Sequence, residues 1–146
     1  MVPAIVLLVS FTVLRCAGLL GVAFLDDWSV ALRGALCLMF LLTASAHWGR
    51  GRSDLIRMVP PAFPAPALVV SITGILEILG AVGLLLPSMS RVAASCLALL
   101  LAAMFPANVR AARAGLTIMG RPAMSVALRG ALQVLFIGTL IAVAMA

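Results

Sequence analysis

The sequence predicts an all-α fold, a bundle of membrane-spanning helices, and three observations support this prediction. Hydrophobic residues make up 65% of the 146 residues and charged residues 10%. Mean hydropathy is +1.29, far above that of a soluble domain. Apolar stretches approach the roughly 20 residues that cross a bilayer core. Since the connections between them are short, we expect residues 1–146 to form a single transmembrane domain.

Five stretches have the length of a span, and together they predict a four-helix core with an additional N-terminal span. They cover residues 2–25, 28–47, 67–86, 92–112 and 123–146. The first could be a secretory signal, but its apolar run is too long, it starts without a basic residue, and Arg15 interrupts it. Residues 53–59 begin at a candidate helix cap and end before two prolines, which predicts a short helix at the membrane interface.

The distribution of arginine predicts the orientation of the chain. All ten basic residues are Arg. The loops on the side of the N-terminus carry six of them, whereas the opposite side carries one, together with two aspartates. The positive-inside rule therefore predicts a cytoplasmic N-terminus and a C-terminus outside. No basic run is interleaved with aromatic residues, so we expect the bilayer, and no nucleic acid, as the partner.

The composition also limits the cofactors. One His and three scattered Cys cannot supply bis-His haem ligation, a four-Cys iron–sulfur site or a conventional zinc site. The sequence lacks a Gly-rich dinucleotide fingerprint and a P-loop. We therefore expect no metal and no covalently bound cofactor, and any redox chemistry would need a diffusible quinone or a partner subunit.

Glu77 lies near the middle of the third span, far from water. A carboxylate at that depth must be paired, protonated or directed at a cavity. Thr73 and Gly80 share its helical face, which we expect to point into the bundle. Because each residue advances about 1.5 Å, Arg15 and Gln133 are predicted at similar depth. We expect Glu77 to pair with Arg15 or Arg129, with Gln133 adding a hydrogen bond.

Polar side chains in or beside the spans are the candidate ligand-binding residues, and no catalytic residue is assigned. They are Glu77, Arg129, Gln133, Asn108, His47, Arg15 and Arg57. The alternative reading is that these groups only hold helices together, since an intramembrane hydrogen bond contributes about 0.6–2 kcal/mol.

Several segments together resemble the DoxX-like family of small bacterial membrane proteins, over about residues 28–137. They are TASAHW at 43–48, DLIRMVPP at 54–61, TGILEILGAVGLLLP at 73–87 and FPANV at 105–109, with Arg129 and Gln133 following. The resemblance implies a core of four spans in a bacterial inner membrane. It matches the polar positions His47, Glu77, Asn108, Arg129 and Gln133.

The family name is shared with membrane subunits of a thiosulfate:quinone oxidoreductase, so the resemblance implies a membrane component of a redox system. The leading hypothesis is a quinone or lipid-like ligand near Glu77. Glu77 and Arg129 would anchor its polar head or relay a proton, Gln133 and Asn108 would orient it, and His47 with Arg57 would guard the cytoplasmic mouth. An oxidoreductase subunit and a second copy of the chain are the candidate protein partners.

Two alternatives stay open, as does the question of whether any reaction is catalysed. The first is a noncatalytic assembly or scaffold subunit of a membrane complex. The second is a small transporter, which the lack of an inverted repeat makes less attractive.

Overall fold

The structure is a computed structural model that describes residues 1–118 and 120–146. Within these residues the chain forms six α-helices joined by short connections. Their bounds are α1 Val2–Leu19, α2 Trp28–Ser45, α3 Arg52–Met58, α4 Pro66–Leu85, α5 Ser90–Arg113 and α6 Val126–Met145. A 3₁₀ turn, Ala23–Leu25, follows α1, and the two-residue strands β1 Thr117–Ile118 and β2 Arg121–Pro122 pair antiparallel before α6.

The predicted all-α bundle is confirmed. In the described part of the chain, five helices are long and apolar enough to cross a membrane, namely α1, α2, α4, α5 and α6. The remaining helix, α3, has seven residues and corresponds to the short helix predicted over residues 53–59. The protein is therefore a membrane protein built from apolar helices.

Some helix ends differ from the predicted ones, because turn residues rather than hydropathy decide them. The first span was expected to reach residue 25, but α1 ends at Leu19, and Gly21 adopts a φ of 115° that favours glycine. Asp27 then caps α2, accepting a 2.7 Å hydrogen bond from the backbone of Ser29. The last span starts three residues later than expected, at Val126, where the side chain of Ser125 accepts from the Leu128 backbone.

Neighbouring spans pack in chain order, α1 on α2, α2 on α4, α4 on α5 and α5 on α6, and α6 also touches α2. The most buried helix face belongs to α2, where Leu36 and Phe40 are almost fully enclosed. Leu84 of α4, Leu97 of α5 and Leu140 of α6 belong to the same core. The short α3 packs against α4 and α5, at the end of the bundle where α2 finishes. We refer to this as the α3 end.

Candidate functional site

Glu77 is buried between α2 and α4, and its side chain points into the bundle as expected. Its residue is 3% exposed. The hydroxyl of Thr43, on α2, donates a 2.8 Å hydrogen bond to Glu77 Oε2. The same hydroxyl lies 3.0 Å from the carbonyl oxygen of Phe40, one turn back along α2. The buried carboxyl is therefore held by a hydroxyl from the neighbouring helix.

The prediction that Arg15 or Arg129 pairs with Glu77 is wrong. Arg15 donates to the carbonyl oxygens of Leu25, at 3.0 Å, and Asp26, and its guanidinium lies 3.4 Å from the Asp26 carboxylate. Because α1 ends at Leu19, Arg15 lies one turn from the helix end and not at mid-depth, so polar groups of the following turn are within reach.

Arg129 and Gln133 both connect α6 to α5, and neither supplies the bond to Glu77 that was expected. Arg129 Nη1 donates to Asn108 Oδ1 at 2.7 Å, and its Nε donates to the carbonyl of Met124 at 3.3 Å. Gln133 Nε2 donates to the carbonyl of Leu101 at 2.5 Å. The reason is the packing order, since α6 lies mainly against α5, whereas Glu77 faces α2.

A cavity of about 320 Å³ lies at the α3 end, between α3, α4, α5 and the segment that follows α2. Its polar lining comes from His47, Thr73 and Asn108, and its walls are otherwise apolar, with contributions from Met58 and Leu100 among others. Glu77 lies four residues further along α4 than Thr73, about 6 Å deeper in the bundle. The space that a ligand could enter is therefore displaced from Glu77 toward the α3 end.

His47 lies just beyond the last residue of α2 and is 3% exposed. Its Nδ1 is 3.2 Å from the carbonyl oxygen of Thr43. Since a carbonyl can only accept, Nδ1 carries the hydrogen and Nε2 of the neutral ring is an acceptor. Burial lowers the pKa of His47 below its usual value and the charge of Arg52 adds to that, while hydrogen bonds with the backbone of Thr43 and Ala44 oppose it. The neutral ring is thus the favoured form.

Gly74 on α4 makes room for this histidine. A Cβ at this position would come within 2.7 Å of the His47 Cβ and of the Trp48 indole ring. The rings of His47 and Trp48 are 6.1 Å apart between centroids. The end of α2 can therefore approach α4 closely enough for His47 to line the cavity.

Asn108 lines the cavity from α5, near the end of that helix, and Arg129 fixes its orientation. A guanidinium only donates, so the amide oxygen of Asn108 must face Arg129, and the amide NH₂ remains as a donor. Arg129 thus acts on the cavity through Asn108. The cavity offers one acceptor nitrogen at His47 and one donor group at Asn108.

Arg57 has a different neighbourhood from the one expected. Its side chain is exposed, donates to the carbonyl of Thr117 at 2.9 Å and lies 3.2 Å from the Asp54 carboxylate. It lines an outer groove with Arg110 instead of the cavity that His47 lines. The structure therefore does not bring Arg57 to the cavity beside His47, as the predicted pair at the cytoplasmic mouth required; Arg57 connects α3 to β1.

Arg52 and Thr43 matter to the site, although the sequence reasoning did not select them. Arg52 donates to the carbonyl of His47 at 2.7 Å, to the hydroxyl of Ser71 at 3.0 Å and to the carbonyl of Ala67 at 3.2 Å. It thereby holds the segment after α2 against the start of α4. The sequence could have indicated Thr43, because this residue of α2 comes four positions, about one helical turn, before His47. Nothing in the sequence distinguishes Arg52 from the other loop arginines.

Within the described residues, no group of three or more His, Cys, Asp and Glu side chains is arranged to hold a metal ion. The lining of the cavity instead suits a molecule with a polar edge and an apolar body, since most of the wall is hydrocarbon.

Fold and site together define a small polytopic helical membrane protein with a polar-edged cavity at one end of its bundle. The chain belongs to the family described as a domain of unknown function (DUF8561), whose family model matches residues 36–146. The match starts within α2, so α1 lies outside it. Comparison with the curated proteins gave no match, and comparison with the solved structures gave none either.

Proposed function

We propose that the protein binds a quinone or a similar amphipathic, lipid-like molecule in the cavity at the α3 end. The observation that supports this most directly is the cavity itself, about 320 Å³ with apolar walls and a few polar groups. Ligand sites for small molecules typically have volumes of about 300–1,000 Å³ and this kind of lining.

Two polar groups of the cavity, His47 after α2 and Asn108 on α5, suit the two forms of a quinone. An oxidised ring carries carbonyl oxygens, which can accept from the Asn108 amide, whereas a reduced ring carries hydroxyls, which can donate to His47 Nε2. Thr73 Oγ1 donates to its own helix, 3.0 Å from the carbonyl of Val69, and retains its capacity to accept. Glu77 and Thr43 lie one turn deeper, where they hold α2 and α4 in the register that forms the cavity wall.

The cellular setting is part of the same proposal. The resemblance to the DoxX-like family supports a bacterial inner membrane and a role as the membrane component of a redox system. The arginine distribution supports a cytoplasmic N-terminus, so that the cavity opens toward the cytoplasmic leaflet. An oxidoreductase subunit with its own redox centre would then exchange electrons with the bound quinone.

The two tryptophans provide a direct binding test. Trp48 neighbours His47 at the cavity, whereas Trp28 starts α2 at the opposite end of the bundle. In purified Trp28→Phe protein, a short-tailed quinone should quench the fluorescence of Trp48 with saturation. In Trp48→Phe protein, the same quinone should quench Trp28 only weakly and without saturation.

Loss of the amide donor should weaken that binding. Asn108→Leu should raise the Kd about two- to tenfold, the effect of removing one hydrogen bond. Ser95→Ala, which removes a polar group bonded to its own helix at the far end of α5, is the matched control and should bind as wild type. Unsaturable quenching of Trp48, or equal quenching of both tryptophans, would exclude a quinone in this cavity.

A noncatalytic scaffold subunit is the second candidate, and the bonds between helices favour it. Thr43 joins α2 to α4, and Arg129 and Gln133 join α6 to α5. A scaffold would bind no quinone, would lose thermal stability on Glu77→Gln, and would be recovered with a stoichiometric partner.

A further inference from the structure

A second concave surface lies on the outer side of α5 at the α3 end. It is an open groove of about 680 Å³, lined by Pro60 and by the last two turns of α5 from Phe105 to Arg113. Along the helix axis this stretch rises about 12 Å. Phe105 and Val109 supply apolar side chains before the end of α5, whereas Arg110 and Arg113 lie in its last turn. The groove therefore runs from an apolar floor to a basic rim.

The charge of the rim is not neutralised by the neighbouring acidic group. Arg110 donates to the carbonyl oxygens of Arg57 and Val59, both at 2.5 Å, and these neutral acceptors leave its charge in place. The nearby carboxylate of Asp54 lies 3.2 Å from the Arg57 guanidinium. Among the described residues, the side chain of Arg113 makes no hydrogen bond or ion pair, and the residue is exposed.

We propose that this groove binds one anionic phospholipid, with its phosphate on Arg110 and Arg113 and an acyl chain along Val109 and Phe105. Two observations favour a lipid. The basic rim lies at the end of a membrane-spanning helix, where headgroups are found, and the apolar floor continues into the span. Basic pockets beside membrane helices recognise anionic headgroups by such charge pairing. The lipid would cover Pro60 and Pro106, which also line the internal cavity.

Native mass spectrometry in neutral detergent tests the proposal with phosphatidylglycerol as the probe. Phosphatidylcholine with the same acyl chains has no net charge, so it measures how much the headgroup charge contributes to binding. Soluble glycerol phosphate has the phosphate without acyl chains, so it measures how much the acyl chains contribute. Arg113→Gln removes the rim charge. Arg50→Gln removes the same charge from an exposed position outside the groove on the same side, and Arg113→Lys keeps the charge at the rim. Circular dichroism and the thermal transition establish that each variant folds.

We expect one phosphatidylglycerol per chain, bound about fivefold more weakly by Arg113→Gln and with unchanged affinity by Arg50→Gln. Arg113→Lys should retain most of the binding. Phosphatidylcholine should bind more weakly, and glycerol phosphate should not displace the lipid. Equal binding by wild type and Arg113→Gln, equal binding of both lipids, or displacement by glycerol phosphate would overturn the proposal. Cross-linking of Arg113 to an acidic protein partner in lipid-saturated membranes would do so as well.

Discussion

At the scale of single residues, the contact between Thr43 and Glu77 determines how the buried carboxyl is satisfied. The hydroxyl has one hydrogen and two acceptors within reach, Glu77 Oε2 at 2.8 Å and the Phe40 carbonyl at 3.0 Å. A carboxylate would take that hydrogen. A protonated carboxyl would donate to Thr43, which would then donate to Phe40. Both arrangements need the hydroxyl.

Removal of this hydroxyl should destabilise the bundle. Thr43→Val keeps the shape of the side chain but leaves the buried carboxyl without its partner, which costs about 1–3 kcal/mol. Thermal unfolding in detergent should show a lower Tm for Thr43→Val, whereas Thr43→Ser, which keeps a hydroxyl, should stay close to wild type. If the valine and serine variants had the same Tm, the hydrogen bond between Thr43 and Glu77 would not contribute to stability.

His47 should make stability depend on pH. Burial lowers the pKa of His47 from its usual 6.5, so the unfolded chain binds more protons than the folded one between the two pKa values. The contribution of the neutral ring is therefore complete above pH 6.5 and is lost as pH falls toward the folded-state pKa. We expect Tm to decrease between about pH 7 and pH 5.

The matched variant for this prediction is His47→Gln, because the chain has one histidine. The difference in Tm between wild type and the variant should change with pH over that range. A difference that stays constant would mean that His47 does not titrate differently in the folded and unfolded states.

At the scale of elements, close approach of α4 to the end of α2 places His47 in the wall of the cavity. Gly74 is opposite His47 and Trp48, and Gly80 packs against Leu97 of α5, where a Cβ would come within 2.5 Å. Both glycines lie on α4 within one turn of Glu77. The helix that carries the buried carboxyl therefore contacts its two neighbours through positions that lack a side chain.

A methyl group at Gly74 should separate the two helices. Gly74→Ala would place Cβ 2.7 Å from His47 and Trp48, and such overpacking costs about 1–3 kcal/mol. Both Tm and quinone quenching of Trp48 should fall. Gly138→Ala on α6, where nothing lies within 4 Å of the new Cβ, should leave both unchanged or raise Tm slightly. Equal behaviour of the two variants would contradict the close packing at Gly74.

Also at the scale of elements, the end of α1 shows that hydropathy alone does not locate the boundary of a helix. The apolar run through Leu25 predicted one long first span, but the chain leaves the helix at Leu19 and turns through Gly21. Consequently Arg15 lies near a helix end and bonds Leu25 and Asp26. A shift of six residues in one boundary is enough to change the partner of a charged side chain.

At the scale of the whole molecule, the asymmetry of charge sets the expected orientation. The loops at the α3 end carry six arginines, whereas the opposite end has Arg91 in its loops with Asp26 and Asp27, and Arg15 reaches Asp26 from α1. Orientation is decided by these loop charges during insertion. The orientation in turn decides which compartment the cavity and the groove on α5 face.

Cysteine labelling in intact cells should reveal this orientation. In a variant whose native cysteines Cys16, Cys37 and Cys96 are replaced by Ala, Ser53→Cys lies at the α3 end and Ser88→Cys at the opposite end, both exposed. A membrane-impermeant maleimide should label Ser88→Cys, and should label Ser53→Cys only after the cells are opened. The reverse pattern would invert the proposed topology.

The sequence by itself determined the class of the protein, the approximate spans, the short α3 and the inward direction of Glu77. These follow from length, hydropathy and helical periodicity, which are properties of each segment alone. Only the tertiary structure decided that Thr43 holds Glu77, that Arg129 orients Asn108, and that the cavity lies beside His47. Polar partners depend on how neighbouring helices rotate and slide, and one residue of offset turns a side chain by about 100° and moves it about 1.5 Å.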